Sequence, residues 1–337
     1  MSPLTVIVWA MDVDPRIRDW LLDTDPALRW QVERDVLGEP ESVWQATRAR
    51  VPREGFGARL LALQDPDGQW AGGAFFPADF DFEGEEARHG QPWTATTWSL
   101  KSLREWGVDA AELGDTAERI RANSTWEYDD LPYWDGEVDA CINAFTLASG
   151  TWLGLDMTAL AQWFADHEMA EGGWNCEWVE GSERASVQST LNSLVGILEW
   201  EKYTGSTMLV DVRHRAEEYL LQRRVLYRLT TGDPIAPWVD KLAYPVRAFY
   251  NALSALDYFR AASLHDGTAP DARLADAVAE VRRQQQPDGR WLQARRHPGR
   301  VWFEVDVDAG EPSPWVTFLA LRALDWWDRQ APPADRA

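Results

Sequence analysis

The chain has 337 residues, with 33 Lys and Arg against 55 Asp and Glu, so its net charge is −22 at pH 7. A protein with this much negative charge repels nucleic acid and anionic lipid, and no basic run offsets the charge. We therefore expect neither a nucleic acid nor an anionic membrane as a partner. The two cysteines, Cys141 and Cys176, are too few for a disulfide framework and fit a reducing cytoplasm.

Membrane insertion and export are also not expected. The apolar start at residues 4–11 is too short for a signal peptide and follows no basic residue. No apolar run approaches the length of a membrane span. We therefore expect a cytoplasmic protein without a transmembrane segment, and nothing in the sequence indicates its oligomeric state.

Helical periodicity dominates the chain, and alternating strand patterns are absent. Six apolar segments, each opening with a cap or a proline, predict inner helices that begin near Asp25, Gln91, Gly136, Ser186, Asp240 and Ser313. Amphipathic segments between them predict a solvated outer layer at residues 41–64, 109–123, 156–168, 207–227 and 271–286. Residues 15–22 are the candidate for the sixth outer helix.

One seven-residue turn recurs at the ends of the predicted outer helices. QDPDGQW at 64–70 returns as QQPDGRW at 285–291 and, in degraded form, as EMAEGGW at 168–174. Pro-Asp-Gly is a turn signal, and three copies indicate an internal repeat. We expect the Gln to bond a neighbouring helix end and the Trp to cover the joint. Each copy, here called a clasp, is then a joint between helix pairs, remote from chemistry.

Six inner helices that alternate with outer ones predict an all-α protein, an α/α toroid. We expect one domain over residues 1–330 and a disordered tail at 331–337. Two long connections, 71–90 and 292–312, each follow a clasp and precede an inner helix, and loops of that length are often functional. The chain also has 21 Trp beside 11 Phe and 8 Tyr, more than its core needs, so some are expected to line a cavity.

The clasp pattern of Gln, three residues, Gly, any residue and Trp resembles the QW motif of squalene-hopene cyclases and related terpene cyclases. Their toroid superfamily also includes protein prenyltransferase β subunits. DPALRWQVERDVLG at 25–38, GGWNCEW at 172–178 and RHPGRVWFE at 296–304 resemble stretches of bacterial squalene cyclase-like proteins. The resemblance implies an enzyme with a hydrophobic substrate, isoprenoid or polycyclic, in a central aromatic cavity. The implied chemistry is acid-initiated cyclisation or isomerisation.

Such chemistry needs a carboxylic acid that an apolar pocket keeps protonated. The family's donor lies in an Asp-x-Asp-Asp motif. The nearest stretch here is Asp306-Val-Asp308-Ala309, which lacks the last aspartate. The candidate donors are therefore Asp139 or the pair Glu304 and Asp306. For Asp139, a helix-capping carboxylate is an equal alternative.

In a toroid the first turns of the inner helices converge on the central cavity, and these turns supply the candidate substrate-binding residues. Aromatic faces among them can stabilise a carbocation, each by on the order of 2 kcal/mol. For the polar residues in these turns, the alternative to substrate binding is a network of hydrogen bonds within the core. The candidates are Arg29, Trp93, Thr97, Trp98, Cys141, Asn143, Gln188, Asn192, Arg247, Phe249, Tyr250 and Trp315.

Zinc is a minor alternative. Asp139-Ala-Cys141 resembles the Asp-x-Cys pair that ligates zinc in protein prenyltransferase β subunits. Gln188 and Phe249 stand where the third ligand, a histidine, is wanted, so no cofactor is expected. Cys176 just precedes the fourth inner helix, which predicts that the two thiols approach one another.

Two other functions stay open. A non-catalytic small-molecule-binding or scaffold toroid is favoured by the incomplete acid motif and the missing histidine. A glycoside hydrolase with two carboxylates is a further alternative, since the acidic charge suits a neutral carbohydrate. Its candidate carboxylates are Asp79, Asp81, Glu83, Asp135, Glu137 and Glu304.

Overall fold

The computed structural model describes residues 11–330, so the predictions for residues 4–10 and for the tail at 331–337 lie outside the described residues. Over this range the chain forms α-helices and short turns with a few isolated bridges and no strand, which confirms the all-α prediction. The helices are α1 Pro15–Leu22, α2 Pro26–Asp35, α3 Glu41–Arg48, α4 Gly55–Leu61, α5 Glu85–His89, α6 Thr96–Glu105, α7 Thr116–Asn123, α8 Ala140–Trp152, α9 Thr158–Asp166, α10 Val187–Thr204, α11 Val210–Gln222, α12 Ala252–Asp266, α13 Ala275–Arg283 and α14 Pro314–Gln330.

The predicted inner helices correspond to α2, α6, α8, α10, α12 and α14. α8 is buried along its whole length, and Gly196 of α10 lies so close that an added Cβ would stand 2.5 Å from the Ala144 carbonyl. α6 packs on α8, α10 on α12, and α12 on α14. The indole N–H of Trp30 in α2 donates to the Trp106 carbonyl at the end of α6 over 2.8 Å. α14 contacts α2, so the last inner helix meets the first.

The prediction of an inner helix that begins near Asp240 is wrong for the first half of that segment. Residues 240–251 are irregular, and α12 begins only at Ala252. Pro245 has no N–H to continue a helical hydrogen-bond pattern, and Asn251 instead caps α12. The Asn251 side chain accepts the Ser254 N–H at 2.9 Å, and the Ser254 hydroxyl reaches back to the Asn251 N–H. Arg247 therefore lies in a loop rather than in a first helical turn.

The outer layer is shorter and more broken than predicted. The segment 41–64 divides into α3 and α4, because the turn at 49–54 contains Pro52. Residues 15–22 form α1, so a helix is present where the sixth outer helix was predicted. None of the helices between residues 11 and 330 is both long and apolar enough to cross a membrane.

The clasps join outer helices to inner ones by the same hydrogen bonds in each copy. Trp70, Trp174 and Trp291 are buried. Each indole N–H donates at 2.7–2.9 Å to a carbonyl ten residues earlier, near the end of the preceding outer helix. Each Trp backbone N–H donates to a threonine hydroxyl near the start of the next inner helix, at 3.0–3.1 Å. The predicted role of the Trp at the joint is confirmed.

The clasp glycines pack against the following outer helix. Gly68, Gly172 and Gly289 have φ of 85–94°, and an added Cβ would stand 2.5–2.7 Å from the next helix. For Gly289 that neighbour is Ile17 of α1, so the last clasp joins the end of the repeat to its beginning. The Gln64 side chain donates to the Thr116 hydroxyl at the start of α7 over 2.9 Å, as predicted for the clasp glutamine.

Replacing a clasp tryptophan tests this joint. Trp70→Ala removes a buried ring and its hydrogen bond to the Leu60 carbonyl, so we expect the free energy of unfolding to fall by about 3–5 kcal/mol. Trp238→Ala, at an exposed tryptophan, is the control and should change it by about 0.5 kcal/mol or less. Denaturant unfolding measures both, and equal losses would contradict the role of the clasp.

Candidate functional site

The connection at 292–312 packs beside the starts of α4 and α6. The Trp93 indole N–H donates to the Pro298 carbonyl over 2.8 Å, and Trp302 donates to the Thr94 carbonyl over 3.0 Å. Phe303 stacks on Phe56 with ring centroids 6.0 Å apart. Two cavities of about 30 and 40 Å³ lie beside this loop, with room for only a few waters each.

A larger cleft opens between the starts of α2 and α14 and the end of this loop. Its volume is about 280 Å³. Three carboxylates, Asp25, Glu304 and Asp306, line it, and we call it the acidic cleft. Its apolar walls are Leu28, Phe56, Val305, Val307, Pro314 and Trp315.

Asp306 has the environment of a general acid. Burial raises the pKa of its carboxyl to about 6, although the Ser313 hydroxyl and the Val307 N–H favour the charged form. The Ser313 hydroxyl donates to Oδ2 at 2.5 Å, and Oδ1 is buried without a hydrogen-bond partner. Protonation of the Asp306 carboxyl would lower the cost of burying this unpaired oxygen, and a hydrogen-bond donor on a ligand would give it a partner. Asp306 therefore combines a raised pKa with a place on a cleft wall.

A clasp positions this acid. The Ser313 N–H donates to the Trp291 carbonyl at 2.9 Å, and the Ser313 hydroxyl in turn holds Asp306. The same hydroxyl accepts the Val316 N–H and so caps α14. Only Ser313 lies between the third clasp and the candidate acid. This clasp is therefore closer to the site than the sequence predicted.

The other two carboxylates of the acidic cleft already have partners. Asp25 accepts the backbone N–H groups of Ala27 at 2.9 Å and Phe56 at 2.8 Å, which fixes the starts of α2 and α4. Burial raises the pKa of Asp25. Glu304 is exposed and forms an ion pair with Arg296. Of the predicted pair Glu304 and Asp306, the structure thus gives only Asp306 the surroundings of a protonated acid.

Asp139 precedes α8, away from the acidic cleft. Its side chain makes no capping hydrogen bond, so the helix-capping alternative is wrong. Burial, and then the charge of Glu180, raises its pKa. Glu137, which accepts the Asp139 N–H at 2.6 Å, has its pKa raised to about 7, mainly by burial. Neither carboxyl lines the acidic cleft or the two central cavities.

Five predicted substrate-binding residues lie around the central loop or the cleft. Trp93, Trp98 and Arg247 line the cavity of about 30 Å³, and the Arg247 guanidinium lies 5.2 Å from the centre of the Trp93 ring. Burial lowers the pKa of Arg247 to about 10, and its φ of 58° is unusual for a side chain of this size. Phe249 stacks on a loop histidine at 4.1 Å, and Trp315 lines the acidic cleft.

That histidine, His297, is a feature the sequence did not single out as functional. Burial, together with the neighbouring Arg295 and Arg247, lowers its pKa to about 3, so its ring is neutral. Its Nδ1 lies 3.1 Å from the Arg295 guanidinium, and its Nε2 is buried without a partner. The loop thus places this neutral ring on Phe249.

Other predicted site residues make core contacts, which favours the satisfied-network alternative for them. Thr97 is hydrogen-bonded to the Tyr133 hydroxyl at 2.9 Å. Asn143 holds the backbone of Glu137 through two bonds of 2.7 Å, and the Tyr250 hydroxyl donates to the Val225 carbonyl.

Two more candidates lie near the starts of inner helices without lining the acidic cleft. Arg29 forms an ion pair with Glu33, one turn along α2, at 2.8 Å. Gln188, near the start of α10, is partly exposed. Neither residue contacts the carboxylates that define the cleft.

The prediction that the two thiols approach is confirmed. The sulfurs of Cys141 and Cys176 lie 3.2 Å apart, and the Asn192 amide lies 3.4 Å from the Cys141 sulfur. Between residues 11 and 330, no imidazole or carboxylate completes a three-ligand set with the two thiols. Asp139 and Cys141 therefore lack the further ligand that the zinc alternative needs.

One three-ligand cluster does exist in the described part of the chain, at His214, Glu217 and Asp266. The buried guanidinium of Arg213 occupies it, donating to Glu217 at 2.9 Å and to Asp266 at 2.7 and 3.0 Å. Arg213 also donates to Glu201 at 2.8 Å. A metal ion here would face this fixed positive charge, so the cluster is an ion-pair network rather than a metal site.

A second cavity, of about 660 Å³, lies at the opposite ends of the inner helices. We call it the basic cavity, because its lining cations are Arg34, Lys202, Arg260, Arg322 and Arg329, against the carboxylates Asp35 and Asp325. Ala261, Leu264 and Trp326 supply apolar wall. Sequence reasoning missed it because these residues are far apart in the chain. Basic residues in the last turns of α2, α10 and α14 were the available signal.

The cations of the basic cavity form ion pairs, with Arg34 on Asp35, Lys202 on Glu199 and Arg329 on Asp325. Arg322 pairs with Asp257 at 2.6 Å and with Asp35 at 3.2 Å, and Arg260 shares the same Asp257 at 3.1 Å. Burial, and then the charge of Arg322, lowers the pKa of Arg260. Two guanidinium groups thus lie together in the wall, which favours an anion in the cavity.

No protein-family model matches the chain, and no curated protein matches it in sequence. Function is therefore inferred from the acidic cleft and the basic cavity, since fold alone does not fix chemistry.

The raised pKa of Asp306 has a measurable consequence for stability. A carboxyl whose pKa is higher in the folded than in the unfolded chain favours folding at low pH, and that contribution is lost as pH rises through about 6. Asp306→Asn should therefore gain stability relative to the wild type between pH 4 and 7, by about 3 kcal/mol at most. Urea unfolding across this range measures the difference, with Asp308→Asn in the same loop as the control. A difference that does not change with pH would contradict the environment assigned to Asp306.

Proposed function

We propose that the chain is an enzyme built on an α/α toroid that protonates a small, largely apolar molecule in the acidic cleft. Asp306 is the proton donor. The observation that carries the proposal is its partly buried carboxyl, whose pKa is about 6, on the wall of a cleft with mostly apolar neighbours. The reaction class is acid-initiated cyclisation or isomerisation, in line with the resemblance to terpene cyclases.

The surroundings of Asp306 suit this chemistry. Its pKa near 6 leaves a useful protonated fraction near neutral pH, and the group is still acidic enough to transfer a proton. Phe56 and Trp315 line the cleft and supply aromatic groups for a developing cation. Leu28 and Val305 add apolar wall to the same space.

The size of the cleft limits the substrate. About 280 Å³ holds roughly ten non-hydrogen atoms, at about 30 Å³ for each water-sized group. A molecule of about ten carbons therefore fits within the acidic cleft.

The glycoside hydrolase alternative has less support, because it needs a second carboxylate free to act. Asp25 is committed to two backbone N–H groups, and Glu304 to Arg296. Asp79 pairs with Arg300 at 2.7 Å.

Deuterium incorporation tests the acid directly. Wild-type protein in D₂O, incubated with ten-carbon terpene alkenes and epoxides, should place deuterium on carbon in at least one product. The rate should fall as pH rises above about 6, because the donor loses its proton. Asp306→Asn should abolish the incorporation, and Asp308→Asn should retain it. Full incorporation by Asp306→Asn, read by mass spectrometry, would remove Asp306 as the donor.

The basic cavity favours a second candidate, a non-catalytic protein that binds an anionic small molecule. Its volume of about 660 Å³ is in the usual range for ligand sites, and its apolar wall beside Arg260 and Arg322 suits a carboxylate or phosphate with an apolar body. This candidate belongs to the binding-protein alternative rather than to the acid chemistry.

Anion titration distinguishes the two candidates. Octanoate and inorganic phosphate should raise the melting temperature of the wild-type protein, since a ligand that binds only the folded state stabilises it. Arg260→Gln should lose the effect, whereas Arg18→Gln, at an exposed arginine paired with Asp19, should keep it. An equal shift in both variants would show that the anions act elsewhere.

A further inference from the structure

Cys141 and Cys176 are close enough to react with one another. Their sulfurs are 3.2 Å apart, and a disulfide needs about 2.05 Å. Closing the gap requires a movement of about 1 Å. The pair joins the first turn of α8 to the segment Cys176–Glu180, 35 positions later in the chain.

The two thiols have different surroundings. Cys176 is partly exposed, and its sulfur accepts the Cys141 backbone N–H and the Ser189 hydroxyl, each at 3.4 Å. The contact with the Cys141 thiol is the main cause that lowers the pKa of Cys176. The same contact, together with burial, raises the pKa of Cys141. Cys176 is therefore the nucleophilic and accessible sulfur, and Cys141 is held behind it as a thiol.

Neighbouring bonds hold the two segments in register. The Trp178 indole N–H donates to the Val138 carbonyl over 2.7 Å, and the Cys176 N–H donates to the Ser189 hydroxyl over 3.2 Å. The Asn192 amide, which also bonds the Ala248 carbonyl, lies against the Cys141 sulfur. This arrangement keeps the sulfurs together without a metal ligand set around them.

We propose that Cys141 and Cys176 form a peroxide-reactive dithiol, a modification site that a hydroperoxide oxidises to an intramolecular disulfide. The site is separate from the acidic cleft and does not depend on the chemistry proposed for Asp306.

The reaction takes two steps. The Cys176 thiolate attacks the terminal oxygen of the hydroperoxide, the O–O bond breaks, and an alcohol, or water from hydrogen peroxide, leaves with a proton. Cys176 is then a sulfenic acid. The Cys141 sulfur attacks it, the S–S bond forms, the S–O bond breaks, and the hydroxyl group leaves as water with the Cys141 proton. Two electrons pass from the dithiol to the peroxide.

Intact mass and thiol counting of the full chain after treatment with hydrogen peroxide test the proposal. We expect both thiols to be lost, the mass to fall by two hydrogens, and digestion to yield one peptide pair that links Cys141 to Cys176. Dithiothreitol should restore both thiols. Retention of both thiols under peroxide, or disulfides only between molecules, would overturn the proposal.

Single substitutions assign the two roles. Cys141→Ser should stop the reaction at a sulfenic acid on Cys176 that dimedone traps, and Cys176→Ser should leave Cys141 unreacted over the same period. Circular dichroism checks that each variant is folded, and disulfide mapping of the wild type stands even if one is not. Equal oxidation of Cys141 with and without Cys176 would refute the assigned order.

Discussion

The hydrogen bond from each clasp indole to a carbonyl near the end of an outer helix is the contact on which the remaining structure depends. Helix ends leave carbonyls without partners, and burying them without a donor is costly. Trp70, Trp174 and Trp291 supply that donor from buried positions, and the backbone N–H of each reaches a threonine of the next inner helix. One residue thus fixes the end of one helix against the start of another. Through Ser313, the last clasp also orients Asp306.

The two ends of the inner helices carry opposite charge. Asp25 and Asp306 lie beside the starts of α2 and α14, and Arg34, Lys202 and Arg329 lie in the last turns of α2, α10 and α14. Carboxylates near helix starts and cations near helix ends both complement the helix dipoles. At one end, burial raises the pKa of the Asp306 carboxyl, and at the other, burial and the charge of Arg322 lower the pKa of Arg260. The same helices therefore place an acid and an anion-favouring wall at opposite ends.

Periodicity and turn chemistry were enough to predict the helices, the clasps and the approach of Cys141 to Cys176, because these features are local or follow from the repeat. The loop at 240–251 was missed, because its apolar pattern imitates a helix while Pro245 and the Asn251 cap prevent one. The packing of the 292–312 loop beside the starts of α4 and α6 was missed as well. The path of the 292–312 loop depends on contacts such as that of Trp93 with Pro298, which are 205 residues apart and leave no local signal. A partial motif was enough to make Asp306 a candidate acid. Its desolvation could not be predicted, because it arises from the packing of α2 and α14 beside the cleft.

The central claim is that the acidic cleft raises the pKa of the Asp306 carboxyl to about 6, so that a fraction of it stays protonated near neutral pH. Carbon-13 NMR of protein labelled at the aspartate side-chain carboxyls, titrated from pH 3 to 8, tests that claim most directly. One resonance should have a midpoint near 6 and be missing from Asp306→Asn. If the resonance lost in that variant titrates near the ordinary aspartate value of about 4, almost none of the carboxyl is protonated near neutral pH and the proposed acid is ruled out.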